Sequence, residues 1–263
     1  MVQYGESMTE IPRTPTGVEG LDSMIGGGIP SGSVLLVTGG PGTGKTTLAI
    51  QYLVNGVLKY GENGVFVSLD VPQRKVFREA SSHGWDLEKL CSERKIAFVD
   101  GSPFTRLGYK ATGFKVPERS YTVQVRELCD DIKSVAASTN AKRVAVDTLA
   151  ALTLQFPDTI QRREVILELF EAVSSGGGTA VITDEIRERE SKPIKLEEYL
   201  ADGLVMLRSS QVERRQVRMI EVEKMKASAI DDQIRPYILD KDGFSVLSDK
   251  DIFTYAAGIL LKK

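Results

Sequence analysis

The sequence predicts an α/β fold: a mostly parallel, twisted sheet flanked by helices and extended on its C-terminal side by antiparallel strands. Three observations carry this expectation. Short runs rich in β-branched residues alternate with segments of helical period as far as Asp202. Beyond Asp202, extended runs follow one another across polar turns with no helical segment between them. One early run passes through a glycine-rich stretch directly into a helix-like segment.

Taken in order, the strand-like runs are 33–39 (SVLLVTG), 64–70 (GVFVSLD), 95–101 (KIAFVDG), 143–148 (RVAVDT) and 178–186 (GTAVITDEI). Continuous apolar character suits strands covered on both faces. The clearest helical period lies at 160–175, where Val165, Ile166, Leu169, Phe170 and Val173 fall on one stripe. The runs 203–210, 216–226 and 235–248, the last turning at Asp242-Gly243, read as the antiparallel extension. The stretch 102–120 reads as a long surface loop. With no long-period repeat and no low-complexity linker, the expectation is one domain over 1–263.

The glycine-rich stretch is Gly39-Gly40-Pro41-Gly42-Thr43-Gly44-Lys45-Thr46, followed by Thr47. It fits G-x-x-x-x-G-K-[ST], and its flanks are a strand-like run and a helix-like one, as a phosphate-binding loop requires. Glycines let consecutive backbone N–H groups turn inward as a nest for phosphate oxygens. Lys45 then meets the β- and γ-phosphates of ATP, the helix N-terminus adds its positive end, and the Thr46 hydroxyl faces Mg2+. The metal needs an acidic anchor at the end of a neighbouring strand, and Asp147, closing RVAVD, fits. Hydrolysis needs a carboxylate for the attacking water. Asp70 is the candidate, with Lys45 as its catalytic companion, and Asp184 and Glu185 are its rivals.

With these residues placed, the chain resembles a KaiC-like ATPase of the RecA superfamily. The resemblance rests on residues 13–22 (RTPTGVEGLD), 26–30 (GGGIP), the phosphate-binding loop and 84–87 (GWDL). It continues through Asp147, Arg163-Glu164, 199–203 (YLADG) and 223–226 (EKMK), covering about residues 12–248. It implies a RecA-type domain, ATP and Mg2+ as ligands, and a site completed between subunits of a ring, such as a hexamer, or of a filament. It also implies that Lys224 and Lys226 reach the neighbouring subunit's ATP. Departures accompany the matches. Where the family carries two adjacent glutamates before a proline, this chain has Leu69-Asp70-Val71-Pro72, with one shortened carboxylate and a valine that accepts no proton. The family's Lys-x-Arg-Gly is Lys224-Met225-Lys226-Ala227, exchanging a planar fork for a point charge. No Ser-Thr pair matches the phosphorylation sites of clock-type relatives.

A net charge of −2 and a pI near 5.7 exclude a global basic footprint, so nucleic acid would have to meet a local patch. Two candidate patches exist. The stretch 187–198 balances four basic against four acidic residues, whereas 102–120 interleaves Arg106, Lys110, Lys115 and Arg119 with Phe104, Tyr109 and Phe114. Cys91 and Cys129 lack metal or redox spacing and read as free thiols, and His83 reads as a helix-end packing residue. No run approaches a membrane span, so the expected location is the cytoplasm. Three functions follow: an ATPase regulating its own assembly or a signalling partner, a RadA-type paralogue binding single- or double-stranded DNA beside recombination proteins, or an ATP-dependent interaction module with negligible turnover.

Overall fold

The structure is a computed structural model describing residues 11–102, 118–186, 195–212 and 215–261. Nine strands form one sheet: β3 (Val34–Gly39), β4 (Gly64–Ser68), β5 (Ile96–Asp100), β6 (Arg143–Asp147), β7 (Thr179–Glu185), β8 (Gly203–Val212), β9 (Arg215–Met225), β10 (Arg235–Asp240) and β11 (Gly243–Val246). Their spatial order is β11-β10-β9-β8-β3-β7-β6-β4-β5. From β8 to β5 all pairing is parallel, and from β8 to β11 it is antiparallel. The fold class expected from the sequence is the one observed. A small hairpin of β1 (Arg13–Thr14) and β2 (Ile29–Pro30) precedes the sheet.

Helices cover both faces. On one side α1 (Leu21–Met24), α2 (Lys45–Tyr60), α3 (Gln73–Ser82) and α4 (Leu87–Ser92) enclose a core with Leu35, Val37, Phe66 and Val205. On the other, α5 (Glu118–Thr139), α6 (Leu149–Thr153), α7 (Thr159–Ser174) and α8 (Leu196–Leu200) pack on Leu36, Val65, Val67 and Val146. Alternate residues of β3 thus enter opposite cores, which is why its run is apolar on both faces. Helix α7 buries the stripe read from its sequence and is capped by Asp158, whose Oδ1 accepts the N–H of Ile160 at 3.0 Å and of Gln161 at 2.9 Å. Helix α9 (Ile252–Leu261) follows the last strand.

Two sequence readings are corrected. Residues 118–120, assigned to a loop, begin α5, and the rest of that stretch from 103 lies outside the described residues. The run read as 216–226 is a strand from Arg215 to Met225, leaving Lys226 in the following turn, and it carries a register shift against Leu204 and Val205. The aspartate of the RTPTGVEGLD stretch acts locally. Asp22 accepts the N–H groups of Thr16 at 2.7 Å and Gly17 at 3.2 Å, fixing the chain's approach to α1. His83 is the C-cap of α3, with its ring 4.9 Å from that of Trp85. Cys91 and Cys129 are free thiols, and burial pushes Cys129 up to about 12. Among the described residues no helix is long and apolar enough to cross a membrane.

The far end of the sheet from the phosphate-binding loop is held by Arg143, fully buried at the start of β6. Its Nε donates to Glu62 at 2.6 Å, one amino group donates to the Tyr52 carbonyl at 3.3 Å, and the guanidinium lies 4.8 and 5.0 Å from the rings of Tyr52 and Tyr60. A Cβ at Gly56 would collide with the Arg143 stem, so the helix needs glycine there. Removing one partner of such a pair leaves the other charge buried, which costs more than removing the charged group altogether. Glu62→Gln is therefore expected to lose stability at the low end of about 3–5 kcal/mol, because Glu62 is a third exposed. Arg143→Met should lose less, and urea unfolding of both variants orders the two losses.

Candidate functional site

The glycine-rich stretch connects β3 to α2, and its conformation shows why glycine recurs there. Gly44, the N-cap of α2, has φ 88°, and a side chain there would also press on Leu239 of β10. Gly39 needs smallness instead, since a Cβ would lie 2.7 Å from the Thr43 hydroxyl and 2.9 Å from the Leu207 carbonyl. The turn is tied internally by the Thr43 hydroxyl, donating to the Gly40 carbonyl at 2.8 Å. It is tied externally by the Tyr237 hydroxyl, donating to the Thr43 carbonyl at 2.7 Å. Tyr237 is stacked on Phe244 with centroids 4.3 Å apart. The Phe244 peptide in turn pairs with the Gln51 amide of α2, at 2.7 Å for its N–H and 2.9 Å for its carbonyl. The C-terminal hairpin thus backs the loop, a contact no local sequence pattern announces.

Lys45 opens α2 and bends its ammonium to the carbonyls of Gly39 at 2.8 Å and Gly40 at 2.9 Å. Burial lowers its pKa, against the opposing pull of Glu185, Asp147 and Asp184. Thr46 donates its hydroxyl to Asp147 Oδ2 at 2.9 Å, and Thr183 donates to Oδ1 of the same carboxylate. Burial raises the Asp147 pKa, while these two hydroxyls and the Lys45 charge favour the ionised form. The residues named from the sequence as metal anchors, 101 positions apart, are thus in direct contact. Both offer hard oxygen donors. Among the described residues no group of three or more His, Cys, Asp or Glu could hold a metal by itself. One carboxylate and one hydroxyl suit Mg2+, which takes few protein ligands and fills its octahedron with phosphate and water.

These groups line a cavity of about 440 Å³. Asp70 lies on its wall beyond the tip of β4, where the Leu69 N–H donates to the Asp147 carbonyl at 2.7 Å and the Ser68 hydroxyl to the Val71 carbonyl at 2.6 Å. Of the two rivals, Glu185 lines the same cavity. Asp184 is 1% exposed, pairs with Lys195 at 2.8 Å and faces a second cavity of about 640 Å³. Sequence reasoning missed Glu79, which lines the first cavity from α3 and accepts the Thr47 hydroxyl at 3.0 Å. Burial raises its pKa. A polar residue on a short, mostly hydrophilic helix carried no sequence signal of this contact.

Lys224 and Lys226 are not brought to this cavity. Lys224 Nζ donates to the carbonyls of Ala201 at 2.7 Å and Tyr199 at 3.2 Å, and Lys226 pairs with Asp202 at 3.0 Å. Burial and the neighbouring Lys226 lower the Lys224 pKa. Met225 sits opposite Gly203, which pairs with Leu35, four residues before Gly39 along β3. At roughly 3.3 Å per residue, the two lysines lie at the other end of their strands from this chain's own loop. Of the segments considered for DNA, 103–117 and 187–194 lie outside the described residues.

Comparison with known proteins agrees with this geometry. A family model described as "ATPase: KaiC" matches residues 14–251. A circadian clock oscillator protein KaiC of Parathermosynechococcus lividus is 33% identical over 240 residues, covering 90% of this chain and 42% of that protein. A UPF0273 protein of Methanocaldococcus jannaschii is 31% identical over 244 residues, covering 90% of this chain and 97% of that one. The crystal structure of a KaiC-like protein from the hyperthermophilic archaeon Pyrococcus horikoshii superimposes with a TM-score of 0.75 at 32% identity, covering 90% of this chain and 99% of that one. The chain spans less than half the length of the clock oscillator relatives it matches. It belongs to the KaiC ATPase family.

Two variants test the geometry of the loop. Lys45→Ala removes a charge-assisted contact of about 1.5–3 kcal/mol, so ATP affinity measured by calorimetry should fall by about 10- to 150-fold. Tyr237→Phe removes only the bond to Thr43 and should lower thermal stability and ATP affinity together, by about 1 kcal/mol each.

Proposed function

We propose that this KaiC-family chain binds ATP with Mg2+, hydrolyses it slowly, and uses the nucleotide state to regulate association with copies of itself or with a partner protein. The observation that carries this reading is the contact of Thr46 with Asp147 beside Lys45, at the mouth of a cavity edged by Asp70. Residues 39–47 hold the phosphates, with backbone N–H groups and the Lys45 ammonium meeting their charge. Thr46 and Asp147 would hold Mg2+, which would supply positive charge to the phosphate oxygens. Asp70 orients a water molecule and accepts its proton as the water oxygen bonds to the γ-phosphorus and the bond to the bridging oxygen breaks. One carboxylate in place of a pair supports slow turnover.

The site is completed by a second copy. Supporting this is the placement of Lys224 and Lys226 at the opposite end of the sheet from their own chain's loop, away from the phosphates that loop would hold. Both relinquish bonds to residues 199–202 when they do so. Nucleotide state and assembly are then linked, since each lysine that engages a neighbour's phosphates leaves a contact within its own subunit.

Phosphate release by the purified protein tests the reading. Asp70→Asn should lower kcat by about 100-fold with little change in ATP affinity. Tight ATP binding without phosphate release by the wild type would reduce the chain to an interaction module. For sharing of the site, a Lys45→Ala variant mixed with a Lys224→Ala/Lys226→Ala variant should recover activity that neither shows alone. No recovery in mixed assemblies places the lysines outside the reaction.

A further inference from the structure

We propose that Glu79 is a positioning residue for hydrolysis, tying helix α3, and with it the Asp70 turn, to the first turn of the phosphate-binding helix through the Thr47 hydroxyl. The inference rests on the hydrolytic reading above and adds to it the device that holds the water-directing carboxylate in place.

Asp70 sits outside regular structure. It leaves β4 after Ser68 and reaches α3 only after Pro72, the N-cap, which makes no side-chain bond to the helix. The turn is tied on its β4 side by the Leu69 N–H and the Ser68 hydroxyl and runs on its other side directly into α3, so the position of α3 is a second constraint on Asp70. That helix is weakly anchored: only Val76 and Ala80 are buried in its ten residues, with Phe77 set edge-on to Phe98 at 6.0 Å. These contacts fix the sheet-facing side of the helix. On the cavity-facing side the tie is Glu79, accepting the hydroxyl of Thr47 at 3.0 Å. Thr47 is 3% exposed and directly follows Thr46, so the residue that contacts Asp147 and the residue that holds α3 share one helical turn.

An ordinary surface glutamate would behave differently. Lys75 stands one turn earlier on the same helix and also lines the cavity, yet no ion pair joins Lys75 to Glu79 among the described residues. The carboxylate turns to a hydroxyl on another helix. The tie thus joins two sides of the cavity, one bearing Thr46 and the other Asp70. A displacement of about 1 Å in such a group can cost about 100-fold in rate.

Positioning needs an acceptor at residue 79 and no proton transfer, which sets the test. Glu79→Ala should lower kcat at saturating ATP by about 10- to 100-fold while ATP affinity stays within about threefold. Glu79→Gln keeps a carbonyl for the Thr47 hydroxyl and should restore most of the rate. Thr47→Val combined with Glu79→Ala should be no slower than the slower single variant, because both remove one bond. Full activity in Glu79→Ala overturns the proposal. So does a Glu79→Gln variant as slow as Asp70→Asn, which would assign Glu79 to the chemistry itself. Hydrogen exchange separates this proposal from the hydrolytic reading. In Glu79→Ala the amides of residues 77–82, which are bonded within the helix, should exchange faster than in the wild type, whether or not the wild type releases phosphate, and unchanged exchange removes the tie.

Discussion

Strand β3 is bonded in parallel to β7 on one side and to β8 on the other, and this double pairing determines where the polar groups of the chain converge. Parallel pairing brings C-terminal ends to one level: Gly39 pairs with Glu185 and with Leu207, and Asp147 ends the strand beyond β7. The connections leave β3 and β7 in opposite directions along the sheet, so a crevice opens at that level and the glycine-rich turn occupies it. Apolar strands covered on both faces leave polar side chains mainly at their ends. Binding chemistry accumulates there because nowhere else in these strands can it be hydrated.

A second consequence is electrostatic. Lys45 and Asp147 are partly withdrawn from water, and burial disfavours the charge of each. Their mutual attraction, the two hydroxyls on Asp147 and the carbonyls on Lys45 offset that cost. A group held this way is oriented before any ligand arrives. Arg143 uses similar physics for a different purpose: its buried charge, braced by Glu62 and two tyrosine rings, secures the opposite ends of the strands. A buried charge alone does not mark a site; its level in the sheet does.

Much of this was legible in the sequence, because the signals were local. The run SVLLVTG entering a glycine-rich turn, and Asp147 ending RVAVD, each combine period, length and a terminal polar residue, and the structure brings Lys45, Thr46 and Asp147 together as that pattern implied. The stripe of α7 was equally plain. What the sequence hides depends on distance along the chain. Tyr237 meets Thr43 across 194 residues, Gln51 meets Phe244 across 193, and Glu79 meets Thr47 across two helices. Thr183 has the character of any β-branched residue inside a strand until Asp147 stands beside it. Single side-chain hydrogen bonds of this kind leave no periodic trace.

The bond from Tyr237 to the carbonyl of Thr43 also has a timing consequence during synthesis. The glycine-rich turn leaves the ribosome well before its rear support, which arrives 194 residues later. At about 5–20 residues per second, roughly 10–40 s separate the two. Throughout that interval the nascent chain carries the turn without the hairpin that braces it, and β8 spends part of it without its antiparallel neighbour. The brace of the glycine-rich turn is thus completed only once the C-terminal strands have been made, and nascent chains cut short before β10 lack it.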